Sequence, residues 1–512
     1  MDAAQRSSYD DVPYASFPFA QTHPDRMATL ARLFGLQPPP LATCRVVELG
    51  CASGGNLIPM AIAMPQAEFF GVDLSPVQVA EGQAVIDALG LRNIRLLAMS
   101  IADVDARLGG FDYLLTHGVY SWVPNAVQEK ILAICAEQLA PNGVAYVSYN
   151  TLPGWRMRGM IRDLMRYHAL PFARPEERVG QARAILDFLA RWVPTENNAY
   201  GLLLKSELEA LRRQPDYYIL HEHLEDTNEP LYFHEFAERA GRHGLQYLAE
   251  AEFGTMLASN FPAEAGETVR RIAPDVIRQE QFMDFLRNRT FRQTLLVRAD
   301  AAVNRNVAPE RIEALWVAGS LQPEGTLLLA EGELVSFRAP AGSLRTPHAI
   351  TKAATRVMAE QWPRALSIDE VFERSLKLLA ADGAGLPVSP DAARSTLLSD
   401  LLQCYAAGLV ELHGMASPFV VEPGERPRAH ALARWQAAQG RPQLTSLRHQ
   451  MVGVDENLRR LLPLLDGSRD RDGLFSVVRG WVSEGRQAPA AAVRQRVDQA
   501  IGQLARAGLL IG

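Results

Sequence analysis

The run Val46-Val47-Glu48-Leu49 has the character of a strand. It breaks at Gly50-Cys51-Ala52-Ser53-Gly54-Gly55-Asn56 and enters a helix-like stretch carrying Leu57, Met60 and Ala61. An acid at a strand tip, then a glycine-rich turn and a helix, brings backbone close to a ligand. Gly50-x-Ala52-x-x-Gly55 is near the dinucleotide fingerprint G-x-G-x-x-G, whose middle glycine lets backbone touch a pyrophosphate. Ala52 stands at that position and handicaps a dinucleotide. S-adenosylmethionine (SAM) has no pyrophosphate but carries a cationic amine and a sulfonium, and Glu48 suits both. Asp73 closes the second strand, 25 residues after Glu48, and can accept hydrogen bonds from both ribose hydroxyls. Gly50, Ala52, Asn56 and Leu74 belong to the same nucleoside site. Ser100 and Ile101 follow the third strand, where an adenine should rest. An acid is common where Ser100 stands, so adenine contact falls to backbone around Ile101 or to Asp103.

His117-Gly118-Val119-Tyr120-Ser121-Trp122-Val123-Pro124 leaves the fourth strand at the edge where an open α/β sheet places its ligands. Tyr120, Trp122 and His117 are the candidates for lining a dry channel around an acceptor nitrogen, with ring faces that favour a cationic amine. An ammonium has no lone pair, and an aromatic, water-poor channel lowers an amine's pKa so that the neutral form can attack. His117 is the candidate proton acceptor. Asn150-Thr151-Leu152-Pro153-Gly154-Trp155 ends the fifth strand and faces the same mouth. It is not the N/D-P-P-aromatic signature of nucleic-acid amino methylation, and the absence of any Pro-Cys dipeptide argues against thiolate-assisted pyrimidine methylation. His221-Glu222-His223 invites a metal, but residues two apart on a helix point to different faces and no third ligand follows at a set spacing. A polar hinge is the preferred reading, with no metal.

These residues need a frame to hold them. From Val46 the chain alternates strand-like and helix-like segments, the pattern of a parallel α/β sheet. The predicted strands are Arg45 to Leu49, Glu68 to Asp73, Ile94 to Met99, Phe111 to Gly118 and Val144 to Asn150. After Trp155, the spacing of Met157, Met160, Ile161, Leu164 and Met165 predicts an amphipathic helix. Two more helices follow, and the stretch 155–226 reads as a helical insertion. Leu245 to Phe253 and Arg292 to Arg298, with no long helix expected between them, suggest an antiparallel sheet edge. The SAM-binding domain is therefore placed at 1–300, with 1–40 as an N-terminal cap. Beyond it, Leu397 to Gly414 and Val497 to Gly512 each read as a helix, an Ala-Gly break and a short strand, the close of a winged-helix unit. This predicts winged-helix-like units at 301–423 and 424–512, joined through Pro418 to His430. The expected fold class is a Rossmann-like α/β sheet with a helical insertion and a mainly α C-terminal half.

A chain of 512 residues needs several cores. A net charge of -6 provides no general basic field for nucleic acid, so the winged-helix units are read as protein-contact modules. Four scattered cysteines exclude a zinc ribbon or disulfide framework and point to the cytoplasm. The polar start MDAAQRSSYDD has no signal-peptide character, and no apolar run is long enough to span a membrane. The pocket residues leave the acceptor open among a protein, RNA and a small molecule, and leave open a SAM-binding regulator without turnover. A protein substrate of unknown identity is what the resemblance below implies, and a homo-oligomer is compatible.

The run Tyr9 to Phe19 with Gln21, ELGCASGGN, HGVYSWVP, SYNTLPGW and HEHLEDTNEPLYFHEF together resemble bacterial protein-lysine methyltransferases that carry a methyltransferase regulatory domain. The best-known members of that family modify outer-membrane proteins. The resemblance covers the first 300 or so residues closely and the C-terminal half more loosely. It implies that Glu48, Gly50 and Asp73 hold SAM and that the N-terminal aromatic segment folds across it. By position, Tyr14 and Gln21 then help to close the pocket, and the C-terminal half contributes to substrate engagement.

Overall fold

The computed structural model describes residues 14–384, 388–482 and 489–512. The stretch 9–13 of the N-terminal run and the start of the predicted cap lie outside the described residues. Helix α1 (Pro24–Leu33) precedes strand β1 (Arg45–Leu49), and the chain continues through α2 (Leu57–Ala63), β2 (Glu68–Asp73), α3 (Pro76–Leu89), β3 (Ile94–Ala98) and β4 (Phe111–Thr116). Then come α4 (Asn125–Gln138) and β5 (Leu139–Asn150). Gly90 ends α3 in the left-handed conformation that glycine adopts without a Cβ penalty. Four helices form the insertion: α5 (Gly154–Ala169), α6 (Pro175–Trp192), α7 (Ala199–Leu211) and α8 (Asp216–His223). The chain returns through α9 (Phe233–Arg242), β6 (Leu245–Glu250), α10 (Ala263–Ile272), α11 (Val276–Arg287) and β7 (Phe291–Arg298).

The seven strands form one sheet in the order β3-β2-β1-β4-β5-β7-β6. The first five run parallel, whereas β7 is antiparallel to both β5 and β6. The chain reverses its direction of strand addition beside β1, so the carboxyl ends of β1 and β4 open a crevice there, as in other open α/β sheets. The expected antiparallel edge is present, but α10 and α11 lie between β6 and β7. Arg292, fully buried on β7, bonds Glu250 of β6 and Glu280 and Asp284 of α11 at 2.8–2.9 Å. That network ties the connecting helix to the sheet edge. The fifth strand starts earlier than predicted, because Leu139 already pairs with Phe111 and the Pro141–Gly143 turn is absorbed as a register shift.

Adjacent β1 residues serve opposite faces of the sheet, as strand geometry requires. Val46 joins a core with Met27, Leu57 and Met60, while Val47 joins one with Ile131, Leu132 and Phe236. The first core continues without a break into Val317, Phe337 and Leu397 of the C-terminal half. The insertion has its own core around Ile161, Met165, Leu186 and Leu204. Met157 and Met160, in the predicted apolar stripe, stay 44% exposed. They precede the part of α5 that the other insertion helices cover.

In the C-terminal half, helix Pro390–Ala406 leads through Gly408 into strand Val410–His413, and helix Ala490–Arg506 leads through Gly508 into Leu510–Ile511. Both glycines are left-handed, at φ 71° and 73°, so the two closing motifs share one turn geometry. Residues Ala429, Leu444, Leu461, Val497 and Leu510 form a separate core for the last unit. Among the described residues, no helix is long and apolar enough to cross a membrane.

Candidate active site

The turn after β1 is held to β2 by its own backbone: Gly50 and Cys51 N–H both donate to the Val72 carbonyl, at 2.7 and 3.1 Å. Gly50 sits at φ 81°, and a Cβ there would meet Val119 Cγ2 at 2.3 Å. Ala52 takes φ 49°, a left-handed conformation that costs an L-residue about 1–2 kcal/mol. Its N–H is thereby aimed at Asp73 Oδ2, 2.7 Å away, while Ser75 N–H donates to Oδ1 at 2.9 Å. Two backbone donors thus fix the Asp73 carboxylate at the tip of β2.

Glu48 is 3% exposed at the tip of β1. Its Oε1 accepts from Asn56 Nδ2 at 2.8 Å, but Oε2 is buried with no hydrogen-bond partner. Burial pushes the Glu48 pKa up to about 8; the Asn56 bond opposes that shift and the Asp73 charge adds to it. An orphaned carboxylate oxygen facing a cavity is a seat for a cation or a strong donor. The cavity has a volume of about 590 Å³. Of the residues singled out from sequence, Glu48, Gly50, Ala52, Asn56, Asp73 and Leu74 line it. So do Ser100, Ile101, His117, Trp122 and Tyr14, together with Asn150 and Trp155. Asn56 does so with its amide already engaged by protein groups.

Other candidates fall elsewhere. Tyr120 is fully buried in the core beyond the sheet, its ring edge-on to Phe236 at 5.4 Å, and does not line the cavity. Residues 120–122 form a single 3-10 turn, and its tight winding sends Tyr120 and Trp122 to different sides. Gln21 is not part of the lining; Thr22, beside it, reaches the site by bonding Asn56. Asp103 is exposed and outside the lining. His117 faces the cavity with Nδ1 2.9 Å from the Tyr146 hydroxyl and its ring 4.0 Å from that of Phe19. Burial lowers its pKa to about 4, so it stays neutral and holds a proton poorly. This weakens its role as a base and leaves it as a wall.

A second part of the lining comes from the N-terminal aromatic segment and from the insertion; sequence points to the first but not to the second. Phe17 and Phe19 belong to an N-terminal strap, anchored where Gly55 N–H donates to Ser16 Oγ at 2.7 Å. Arg158, Tyr218, His221 and Glu222 come from the insertion. Burial pushes the Glu222 carboxyl up to about 7, with Arg158, His221 and Arg162 pulling against it. Burial also raises the Tyr14 phenol, whose ring lies 5.2 Å from Tyr217 and 5.8 Å from His221. The His-Glu-His run ends α8, and two of its members, His221 and Glu222, line the cavity. His223 turns away and is buried near Tyr218. Among the described residues, no group of three or more His, Cys, Asp or Glu side chains is arranged to hold a metal. Trp122 and Trp155 meet edge to face at 6.1 Å, and Arg158 lies over the Trp155 ring at 5.4 Å. The arrangement joins carboxylates and a strained glycine turn to an aromatic-walled space with a carboxyl that titrates near neutrality.

Three family models match the chain: a methyltransferase domain over residues 46–143, a predicted methyltransferase regulatory domain over 215–298, and a PKMT C-terminal winged helix domain over 425–509. An uncharacterised protein of Rickettsia prowazekii is 36% identical over 491 residues, covering 94% of this chain and 87% of that one. A second uncharacterised protein of that organism is 41% identical over 241 residues, 47% of this chain and 96% of the other. The structure of PKMT2 from Rickettsia typhi in complex with AdoHcy superposes with a TM-score of 0.85 at 30% identity, covering 98% of this chain and 100% of that chain.

Proposed function

This chain belongs to the protein-lysine methyltransferases that combine a methyltransferase domain, a methyltransferase regulatory domain and a C-terminal winged helix, and we propose from that premise how its own residues carry the reaction. The activity is SAM-dependent methylation of a protein lysine side chain. Glu48 and Asp73 hold the cofactor, Glu48 through its orphaned oxygen and Asp73 as the ribose acceptor, with Leu74, Ser100 and Ile101 beside the base. When bound, SAM supplies an electrophilic methyl on a sulfonium that is already a good leaving group. The protein therefore needs alignment and desolvation more than a strong catalyst.

The observation that carries the acceptor assignment is Glu222 in the same cavity as Glu48 and Asp73. A lysine ammonium entering between Trp122, Trp155 and Tyr218 loses water, which lowers its pKa, and finds ring faces that favour a cation. Glu222, raised to about 7, is matched to take its proton near neutral pH, which neutral His117 is not. Arg158 beside it disfavours a second positive charge. The strap Phe17–Phe19 keeps water from the reacting atoms. Four buried free thiols suit a reducing compartment, and we assign the protein to the cytoplasm.

Incubating the protein with methyl-labelled SAM and lysate, then separating protein, RNA and metabolites, tests this assignment. Label should appear as methyl-lysine after hydrolysis of the protein fraction; label confined to RNA or metabolites refutes the acceptor. Glu222→Gln should lower kcat by about 10²-fold or more with SAM affinity unchanged.

A further inference from the structure

Asn56 is the meeting point of three remote parts of the chain. Its Nδ2 donates to Glu48 Oε1 at 2.8 Å and to Thr22 Oγ1 at 2.9 Å. Its Oδ1 accepts from Phe19 N–H of the strap at 3.0 Å. The same Oδ1 accepts from His449 Nε2 at 2.7 Å, across 393 positions of sequence. His449 sits in the turn between strands Gln443–Thr445 and Met451–Gly453 of the last winged-helix unit. It is 4% exposed and adopts φ 57°, an uncommon conformation for a non-glycine residue. Ser446 holds that turn through N–H and Oγ bonds to the Gln450 carbonyl, and Arg448 bonds Glu411 of the neighbouring unit. The His23 ring meets that of His449 at 5.1 Å. Burial keeps His449 far below its ordinary pKa, so the ring is neutral and Nε2–H is its donor.

We propose that His449 is a positioning residue for the cofactor pocket. The winged-helix unit completes the methyltransferase domain by fixing the Asn56 amide, and through it Glu48 and the strap. Donors converging on Oδ1 leave the amide one orientation, with Nδ2 toward the Glu48 carboxylate. Without the imidazole, the amide keeps its Phe19, Thr22 and Glu48 contacts but loses the one that ties it to the hairpin, so its orientation toward the carboxylate and the strap is held less firmly. The coupling is reciprocal, so whatever displaces this hairpin weakens cofactor binding, and bound cofactor holds the hairpin in place. The inference rests on the reading of Glu48 as part of the SAM site.

Two full-length variants test it. His449→Asn tolerates the left-handed backbone but is too short to place a donor where Nε2–H lies; His449→Gln places its amide N–H there. Calorimetry with S-adenosylhomocysteine should show binding weakened about three- to tenfold in H449N, the range of one lost hydrogen bond, and restored by H449Q. KM for SAM should follow, while kcat at saturating SAM stays near wild type. Melting temperatures without ligand separate this from damage to the fold. Equal affinity and KM in H449N and wild type, or a loss in H449N that H449Q shares, overturns the coupling and leaves the site intact. Absence of binding by the wild-type protein overturns the site reading itself.

Discussion

At the scale of single residues, the pocket is governed by charge placed where water is scarce. Glu48 carries a proton up to about pH 8, held there by burial. A cationic ligand binds the ionised form, so at lower pH it must first displace that proton. SAM affinity should therefore rise about tenfold per pH unit up to about pH 8 and level off above it. Calorimetric titration across that range checks this, and Glu48→Gln should bind weakly with a flat profile. Glu48, Gly50 and Asp73 could be found from sequence because an acid, a glycine turn and a second acid are neighbours in chain order. Glu222 could not, because its carboxyl is remarkable only for what surrounds it. Tyr120 misled for the complementary reason: residue type suggests a pocket wall, but direction is decided by the turn.

Elements bring these side chains together through close backbone contacts. The strap crosses the glycine turn at Gly55, where an added Cβ would stand 2.5 Å from the Ser16 carbonyl oxygen. Gly55→Ala should lift the strap without touching the cofactor carboxylates. Overpacking of this kind costs about 1–3 kcal/mol, so SAM binding should weaken about five- to hundredfold. A fluorescence or calorimetric binding curve shows it, and unchanged affinity means that the strap does not cover the site. Helical period located the insertion, and strand alternation located the sheet. Period alone did not tell which part of α5 is covered: Met157 and Met160 lie in the apolar spacing yet are half-exposed. Nor did it reveal the two helices between β6 and β7, in the second of which the buried charges that bond Arg292 interrupt the apolar positions.

At the scale of the whole molecule, helix α1 joins the first domain to the C-terminal half. Asp25 on α1 accepts from His413 Nδ1 at 2.7 Å and from Gly414 N–H at 2.6 Å. Burial works against the charge on His413, but Asp25 and Glu411 outweigh it and raise its pKa to about 9; burial likewise opposes the Asp25 charge, yet His413 holds it below its ordinary 3.8. The stabilisation from His413 is complete below its unfolded value near 6.5 and is lost as pH rises through 9. That from Asp25 is complete above 3.8 and fades in stronger acid. Wild type should therefore melt above His413→Gln by its largest margin between about pH 4 and 6.5, and the margin should close above about pH 9. A scan of melting temperature against pH measures it. Sequence by itself determined what is local: the first five strands with the helices between them, the glycine turn with its two acids, and the repeated helix-glycine-strand close, because each depends on neighbours a few positions apart. Tertiary structure alone decided what lies across the chain. It set Glu222 facing the Glu48 cavity and His449 against Asn56, since burial and hydrogen bonding between residues hundreds of positions apart arise only when separate cores pack together.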